Sequence, residues 1–147
     1  MTDKEKRPVN NAEEKAKAFL RLSAVIAALR APDGCPWDRE QTSYSLAPNF
    51  LEEAHELIDA IESGETKDII EEAGDVILHA LMQAQLFEEQ GKFDSADVLN
   101  AESDKLVRRH PHVFGTLHVK DSEEVMKNWE AIKKEEKSAE RKSVLDG

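Results

Sequence analysis

The stretch EEAHELIDAIESGETKDIIEEAGD, Glu52–Asp75, decides how this chain folds. It contains the junction of two segments with helical periodicity, residues 46–62 and 67–90. In the short turn between them, Gly64 can supply a left-handed C-terminal cap and Thr66 an N-cap. The stretch therefore predicts an antiparallel helical hairpin.

Four acidic residues fall at matching heights in this hairpin. Residues of an antiparallel pair lie level when their numbers have the same sum, and this holds for Glu53 with Asp75 and for Glu56 with Glu72. The two levels are three residues apart, about 4.5 Å at the rise of an α-helix, and neighbouring helix axes lie roughly 8–10 Å apart. The four carboxylates thus form a box of the size that metal ions need.

The second helix of the hairpin is apolar on nearly every face, which is typical of a buried helix. An unpaired buried carboxylate costs several kcal/mol, so Glu72 and Asp75 require a cation, a proton or a charged partner. The first helix is apolar on one side only, and its acidic side, taken alone, also fits a solvated face. If that acidic side faces the second helix, further helices or a second subunit must cover its apolar stripe. The stripe consists of Ala54, Leu57, Ile58 and Ile61.

Composition narrows the class of protein. The chain has 147 residues and a net charge of −11, which disfavours nucleic-acid polymers and anionic membranes as partners. The single cysteine, Cys35, excludes an intrachain disulfide, and residues 1–11 carry no apolar leader. We therefore expect a cytoplasmic protein. Alternating β-branched or aromatic residues are few, so the fold class predicted is all-α, a helical bundle built on the hairpin and completed by dimerisation.

We expect three regions along the chain: a flexible lead over residues 1–11, a single helical domain over 12–136, and a charged, disordered tail over 137–147. Within the domain, amphipathic helices are predicted over 12–30, from Asp94 or Ser95 to about His110, and from 121 to 137. The last of these begins at Asp121 or Ser122. Prolines and Gly34 predict a loop over 31–49, in which Trp37 is a packing anchor and Cys35 a buried small side chain.

The chain has one concentrated basic patch, Lys105, Arg108 and Arg109. Cations at a helix C-terminus compensate the helix dipole, and Lys105 can also pair with Glu102. The alternative interpretation is a phosphate clamp that faces the metal box, because arginine and lysine bind phosphate oxygens. Both interpretations remain open from spacing alone. Trp129, on the last helix, is interpreted as core or interface, with stacking on a base as the alternative.

Glu52-Glu53-x-x-Glu56, then fifteen residues, then Glu72-x-x-Asp75, resembles the signature of the MazG-type nucleoside triphosphate pyrophosphohydrolases, within the all-α nucleotide pyrophosphohydrolase superfamily. Three further segments resemble the same family: GCPWD at 34–38, KLVRRHPHVF at 105–114 and WEAIK at 129–133. The resemblance extends over about residues 22–136.

The resemblance implies hydrolysis of a nucleoside triphosphate to the monophosphate and pyrophosphate by a Mg²⁺-dependent homodimer or dimer of dimers, in nucleotide-pool housekeeping. By position it implies metal ligation by Glu53, Glu56, Glu72 and Asp75. It places around the nucleotide Asn49–Glu52, Asp68–Glu71, Lys105, Arg109 and Trp129, and we add Arg108 to these substrate-binding candidates. Carboxylate ligands favour Mg²⁺, or Mn²⁺ in its place, over zinc. Glu53, or Glu52 beside it, is the candidate for orienting the attacking water.

The sequence is also compatible with three other functions. A di-iron bundle requires two Glu-x-x-His units, and Glu52-x-x-His55 is the only one here. A non-catalytic helical module that binds nucleotide and metal is a second alternative. A pyrophosphohydrolase acting on dUTP or phosphoribosyl-ATP is a third, since one carboxylate box can serve several bases.

Overall fold

The computed structural model describes residues 1–145, and over that range all regular secondary structure is helical, which confirms the predicted all-α class. Completion of the bundle by dimerisation stays a prediction. Residues 146–147, the end of the predicted tail, lie outside the described residues. The helices are α1 (Ala12–Arg30), α2 (Pro36–Glu40), α3 (Ser43–Ser63), α4 (Thr66–Glu89), α5 (Ser95–Arg109), α6 (Pro111–Phe114) and α7 (Ser122–Leu145). Among the described residues, no helix combines the length and the apolar composition that crossing a membrane requires.

The chain divides into two compact units. One comprises residues 10–98, and the other comprises residues 1–9 together with the described residues from Leu99 onward. The first unit contains the hairpin, and the second contains the basic patch and Trp129. The single domain expected over 12–136 remains a prediction.

The core of the first unit joins α1 to the hairpin. Ile26 of α1, Leu46 of α3, and Met82 and Leu86 of α4 are buried together, and three partly buried leucines pack against them. The bounds of α1 are those that the sequence predicted, and its apolar face docks as expected. This core holds the C-terminal half of α4, so it fixes the hairpin at the end away from its turn.

Arg30, at the end of α1, ties three elements of this unit together. Its Nε and Nη2 donate to the carboxylate of Glu89 on α4, at 2.9 and 2.7 Å. Its Nη1 donates to the backbone carbonyls of Asp38 and Gln41, which lie in and just after α2. The loop between α1 and α3 is therefore anchored to the end of the hairpin.

The hairpin turn follows the prediction with one correction. Gly64 adopts a left-handed conformation, φ 77°, and its N–H donates to the carbonyl of Ala60, as expected of a C-terminal cap. The N-cap of α4 is Glu65, and Thr66 is the first helical residue, so the prediction that Thr66 is the N-cap is wrong. The turn is two residues shorter than expected, because α3 continues through Ser63 and α4 begins directly after the Gly64-Glu65 pair.

The loop predicted over 31–49 is shorter in the structure. Helix α2 forms within it, and α3 begins at Ser43 because Thr42 and Ser45 cap each other's backbone N–H groups. Pro48 lies inside α3 instead of breaking it, at the cost of a single intrahelical hydrogen bond. Trp37 is 56% exposed, so within this chain it is not the packing anchor that we expected, and Cys35 is only half-buried.

The predicted starts of the last two long helices, α5 and α7, are confirmed, and the predicted end of α7 is not. Asp94 caps α5 through its bond to the N–H of Asp97, and Asp121 caps α7 through its bond to the N–H of Glu124. Helix α5 ends at Arg109, directly before His110 and Pro111, as expected. Helix α7 continues to Leu145, well past the predicted end at residue 137, since its charged residues are good helix formers.

Candidate metal centre

The hairpin brings three of the four predicted metal ligands together. Glu53 and Glu56 on α3 and Glu72 on α4 each offer one carboxylate oxygen, and these oxygens lie within 4.8 Å of one another. Oxygens on opposite sides of a Mg²⁺ ion lie about 4.2 Å apart, twice the usual Mg–O distance. We call these three residues the carboxylate cluster. Small side-chain movements would let them share one cation.

Asp75, the fourth predicted ligand, lies beside the cluster without being part of it. It is half-buried on α4, three residues after Glu72. Its charge contributes to raising the pKa of both Glu53 and Glu72, so it acts on the same small volume. Its ligation of a metal stays a prediction.

The cluster is electrostatically unfavourable without a cation. The pKa of Glu53 is raised to about 7, first by burial, then by a hydrogen bond with Glu56 and by repulsion from the neighbouring carboxylates. The pKa of Glu72 is raised for the same reasons, with burial again the largest cause. Oε2 of Glu72 is buried and has no hydrogen-bond partner among the described residues. Hard carboxylate oxygens with an unsatisfied buried atom fit a divalent cation such as Mg²⁺.

An open acidic depression of about 310 Å³ adjoins the cluster. It is lined by Glu56, Asp59, Ala60, Ser63, Asp68 and Glu72. Asp68 was predicted to bind substrate, and this places it beside two cluster residues. Glu52 and Glu71 are exposed, each adjacent in sequence to a cluster residue.

The residues one helical turn before Glu53 on α3 are Asn49 and Phe50. Asn49 is half-buried and lies four residues before Glu53, so the two share a face of α3. Phe50 and His79 bring their ring centroids to 6.0 Å between α3 and α4. His79 follows Asp75 by four residues, and sequence spacing alone shows that it shares the acidic stripe of α4. No sequence spacing indicated that Phe50 would lie near the cluster.

In the second unit, each cation of the basic patch is paired with a carboxylate. Lys105 pairs with Glu102, as one of the two interpretations required. Arg108 and Arg109 both bind Glu136 of α7, at 2.8 and 2.7 Å. No sequence pattern pointed to Glu136, because it is 27 residues beyond Arg109 on another helix.

Trp129 is half-buried and packs against the end of α5. The Arg109 guanidinium lies 5.6 Å from the Trp129 ring centroid, and the His110 ring meets the indole edge-on at 4.9 Å. His110 also contacts the ring of His112 at 5.4 Å, and Nδ1 of His112 is buried without a partner among the described residues. The interpretation of Trp129 as a packing residue fits these contacts, and stacking on a base stays a prediction.

Comparison with known proteins identifies the family. The model of the MazG nucleotide pyrophosphohydrolase domain matches residues 41–114, half of the chain, and this range contains all four predicted metal ligands. A crystal structure of a mazG-related protein from Thermotoga maritima is similar with a TM-score of 0.64 and 28% sequence identity, over 78% of this chain and 97% of that one.

Curated relatives cover nearly the whole chain. The nucleoside triphosphate pyrophosphohydrolase of Escherichia coli K12 is 44% identical over 86% of this chain and 49% of its own length. Nucleoside triphosphate pyrophosphohydrolase/pyrophosphatase MazG of Thermotoga maritima is 43% identical over 86% of this chain and 48% of its own length. YabN of Bacillus subtilis, an uncharacterised protein, is 47% identical over 87% of this chain and 26% of its own length. The chain thus spans half or less of these relatives, and it belongs to the MazG nucleotide pyrophosphohydrolase family.

Proposed function

We propose that the chain hydrolyses nucleoside triphosphates to nucleoside monophosphate and pyrophosphate. The observation that carries the proposal is the convergence of Glu53, Glu56 and Glu72, with one buried oxygen left unpartnered, in a chain of the MazG family. The names of the Escherichia coli and Thermotoga maritima relatives describe the same reaction class. Nucleoside triphosphates arrive as Mg²⁺ complexes, and the carboxylate cluster needs a cation. The substrate and the site are therefore chemically compatible.

The metal-binding residues in this proposal are Glu53, Glu56, Glu72 and Asp75. When bound, Mg²⁺, or Mn²⁺ in its place, supplies charge neutralisation for the phosphate groups and water activation at neutral pH. The two acidic residues on α3 and the two on α4 each repeat at a spacing of three, so each helix presents its pair on one face. Binding the cation also removes the repulsion that raises the pKa of Glu53.

Hydrolysis to these products requires water to attack the α-phosphorus. The bond between that phosphorus and the oxygen bridging to the β-phosphate breaks, and pyrophosphate leaves. Glu53, or Glu52 beside it, holds the water in line and receives its proton. Lys105, Arg108 and Arg109 offset the negative charge on the departing pyrophosphate in this proposal, because their N–H groups bind phosphate oxygens well.

The remaining candidates surround the nucleotide in this proposal. Asn49 offers an amide one turn from Glu53, and carboxylates are offered by Asp68 in the first turn of α4 and by Glu71 one turn further along. Trp129 offers an apolar ring for the nucleoside. Turnover rates of the individual triphosphates, with dUTP among the substrates, give the base preference.

We further propose that two copies pair through the hairpin, as a homodimer or as half of a dimer of dimers. Ile58 and Ile61 of α3 are 51% and 58% exposed, and Ile70 and Ile77 of α4 are 69% and 52% exposed. Each pair lies on one face of its helix, and soluble monomers rarely leave such apolar faces in water. The sequence predicted that the stripe with Ile58 and Ile61 needs a cover that the hairpin itself does not supply.

The cellular setting belongs to the same proposal. One cysteine and a net charge of −11 suit a reducing cytoplasm and a small-molecule substrate, in preference to a nucleic-acid polymer or a membrane surface. Removal of unwanted nucleoside triphosphates from the nucleotide pool would use this reaction.

The test is to incubate the purified chain with ribo- and deoxyribonucleoside triphosphates and MgCl₂ and to follow the products by ³¹P NMR, with EDTA in a parallel sample. We expect monophosphate and pyrophosphate, and no turnover with EDTA. Glu53→Gln and Asp75→Asn should each abolish turnover while the circular dichroism spectrum stays helical. Glu62→Gln, which removes an exposed carboxylate from the same helix, should keep the wild-type rate.

Two outcomes would contradict the proposal. Orthophosphate and diphosphate as products would place the attack at the γ-phosphorus. Nucleotide binding by calorimetry without turnover of any triphosphate would favour a non-catalytic module that binds nucleotide and metal.

A further inference from the structure

Glu136 joins the two arginines of the basic patch. Its Oε2 accepts from Nε and Nη2 of Arg109 at 3.2 and 2.7 Å, and its Oε1 accepts from Nε of Arg108 at 2.8 Å. The side chains of Arg109 and Glu136 are 18% and 22% exposed, whereas that of Arg108 is 56% exposed. The bond to Arg109 is thus the better shielded of the two.

The guanidinium of Arg109 is fixed on two sides and open on a third. Glu136 occupies the edge formed by Nε and Nη2, and the ring of Trp129 lies 5.6 Å from the central carbon. The opposite edge, formed by Nη1 and the second N–H of Nη2, makes no hydrogen bond within the described residues. A planar guanidinium binds phosphate oxygens in pairs through such an edge.

We propose that Glu136 is a positioning residue, which holds Arg109 against Trp129 so that the open guanidinium edge receives the polyphosphate of the substrate. This inference rests on the proposed function and assigns a role in it to a residue that neither the sequence pattern nor the metal cluster identified. The carboxylate of Glu136 does not neutralise the patch, because one negative charge lies between two positive ones. A net positive charge therefore remains for the phosphates.

The competing possibility is that Glu136 occupies the place of a phosphate group and must leave before substrate binds. The two possibilities predict opposite changes in KM. Removing a positioning residue releases the rotamers of Arg109 and weakens substrate binding, whereas removing a competitor strengthens it. The use of the Nε edge, with the other edge left open, favours positioning.

The experiment is a double-mutant cycle with Glu136→Ala, Arg109→Ala and the double variant, measured by nucleoside triphosphate turnover. Because misplacing one binding group is worth roughly tenfold to a hundredfold, we expect each single substitution to raise KM by about tenfold, with kcat changed less than about threefold. The double variant should lie closer to Arg109→Ala than to the product of the two single effects, since the better shielded bond of Glu136 is the one to Arg109, and the release of the exposed Arg108 accounts for the remainder. Glu136→Gln, which keeps one acceptor oxygen, should lie between wild type and Glu136→Ala. Glu135→Ala, at the exposed neighbouring position, is the matched control and should leave KM unchanged.

Three results would overturn the inference: a lower KM in Glu136→Ala, additive effects in the double variant, or an equal rise in KM for Glu135→Ala. Thermal melts of every variant separate a local effect from loss of the fold. If the wild type turns over no nucleotide, the proposed function fails, and the same cycle is then read from the Kd of inorganic tripolyphosphate by calorimetry. Non-additive weakening there would still support positioning, and additive or absent weakening would overturn it.

Discussion

Replacing Glu53 by glutamine should stabilise the metal-free protein at pH 8 and weaken its response to Mg²⁺. Glu53 lies among like charges, and its pKa is raised to about 7. A raised carboxyl pKa means that the folded state holds a proton that the unfolded state releases. The stability that this proton provides is complete below the ordinary pKa and is lost as pH rises through about 7.

The size of the effect follows from the shift in the pKa of Glu53, from 4.5 to about 7. At 1.36 kcal/mol per unit this is about 3 kcal/mol, and because the side chain stays partly in water we expect about 1–2 kcal/mol at pH 8. For a chain of this size, that raises the melting temperature by about 3–8 °C. At pH 4.5 the wild-type carboxyl is itself largely protonated, so the difference should nearly vanish.

The assay is thermal unfolding by circular dichroism at pH 4.5 and pH 8, with EDTA and then with MgCl₂. Ligand at a hundred times its Kd stabilises a fold by about 2.7 kcal/mol, so Mg²⁺ should raise the wild type above the variant and reverse their order at pH 8. Glu62→Gln, an exposed residue of α3, controls for the change in net charge. A variant that is less stable than the wild type at pH 8 in EDTA, or a difference independent of pH, would refute the reasoning.

Three further predictions concern the scaffold. Arg30→Ala removes the ion pair with Glu89 and leaves two carbonyls without their donor, so we expect urea denaturation to show a loss of about 2–4 kcal/mol, and a loss below 1 kcal/mol would contradict the anchoring role. Ile70→Glu should shift the protein from dimer to monomer in sedimentation velocity, and an unchanged sedimentation coefficient would exclude that face from the interface. Gly64→Ala should cost about 1 kcal/mol because the φ of Gly64 is 77°, and an unchanged free energy of unfolding would be inconsistent with the turn geometry.

The hairpin and its carboxylates could be predicted because their geometry is local. A turn of two residues fixes the register of two helices, so the heights of Glu53, Glu56 and Glu72 follow from counting along the chain. The structure confirms that these three converge. Counting gives heights but not side-chain rotamers, and this is why it did not separate Asp75 from the other three.

The elements that the sequence misjudged depend on competition between local signals. Pro48 and Gly34 argued for one long loop, but the reciprocal caps of Thr42 and Ser45 start α3 earlier. The apolar faces of α4 predicted burial all round, and this holds for its C-terminal half, around Met82 and Leu86. Its N-terminal half leaves isoleucines exposed, because α1 packs only against the other end.

Contacts between distant segments are the part that periodicity does not encode. Arg30 meets Glu89 across 59 residues, and Arg109 meets Glu136 across 27. In a chain with 31 acidic residues, each arginine has many possible ion-pair partners that the local sequence does not distinguish. Only the packing of the helices selects one of them. The same argument explains why the two interpretations of the basic patch stayed open: dipole compensation is a property of α5 alone, whereas an oriented guanidinium requires the carboxylate of α7. If Glu136 positions Arg109, then the ability of Arg109 to bind phosphate depends on a contact with α7. The sequence pattern of α5 alone cannot show that contact.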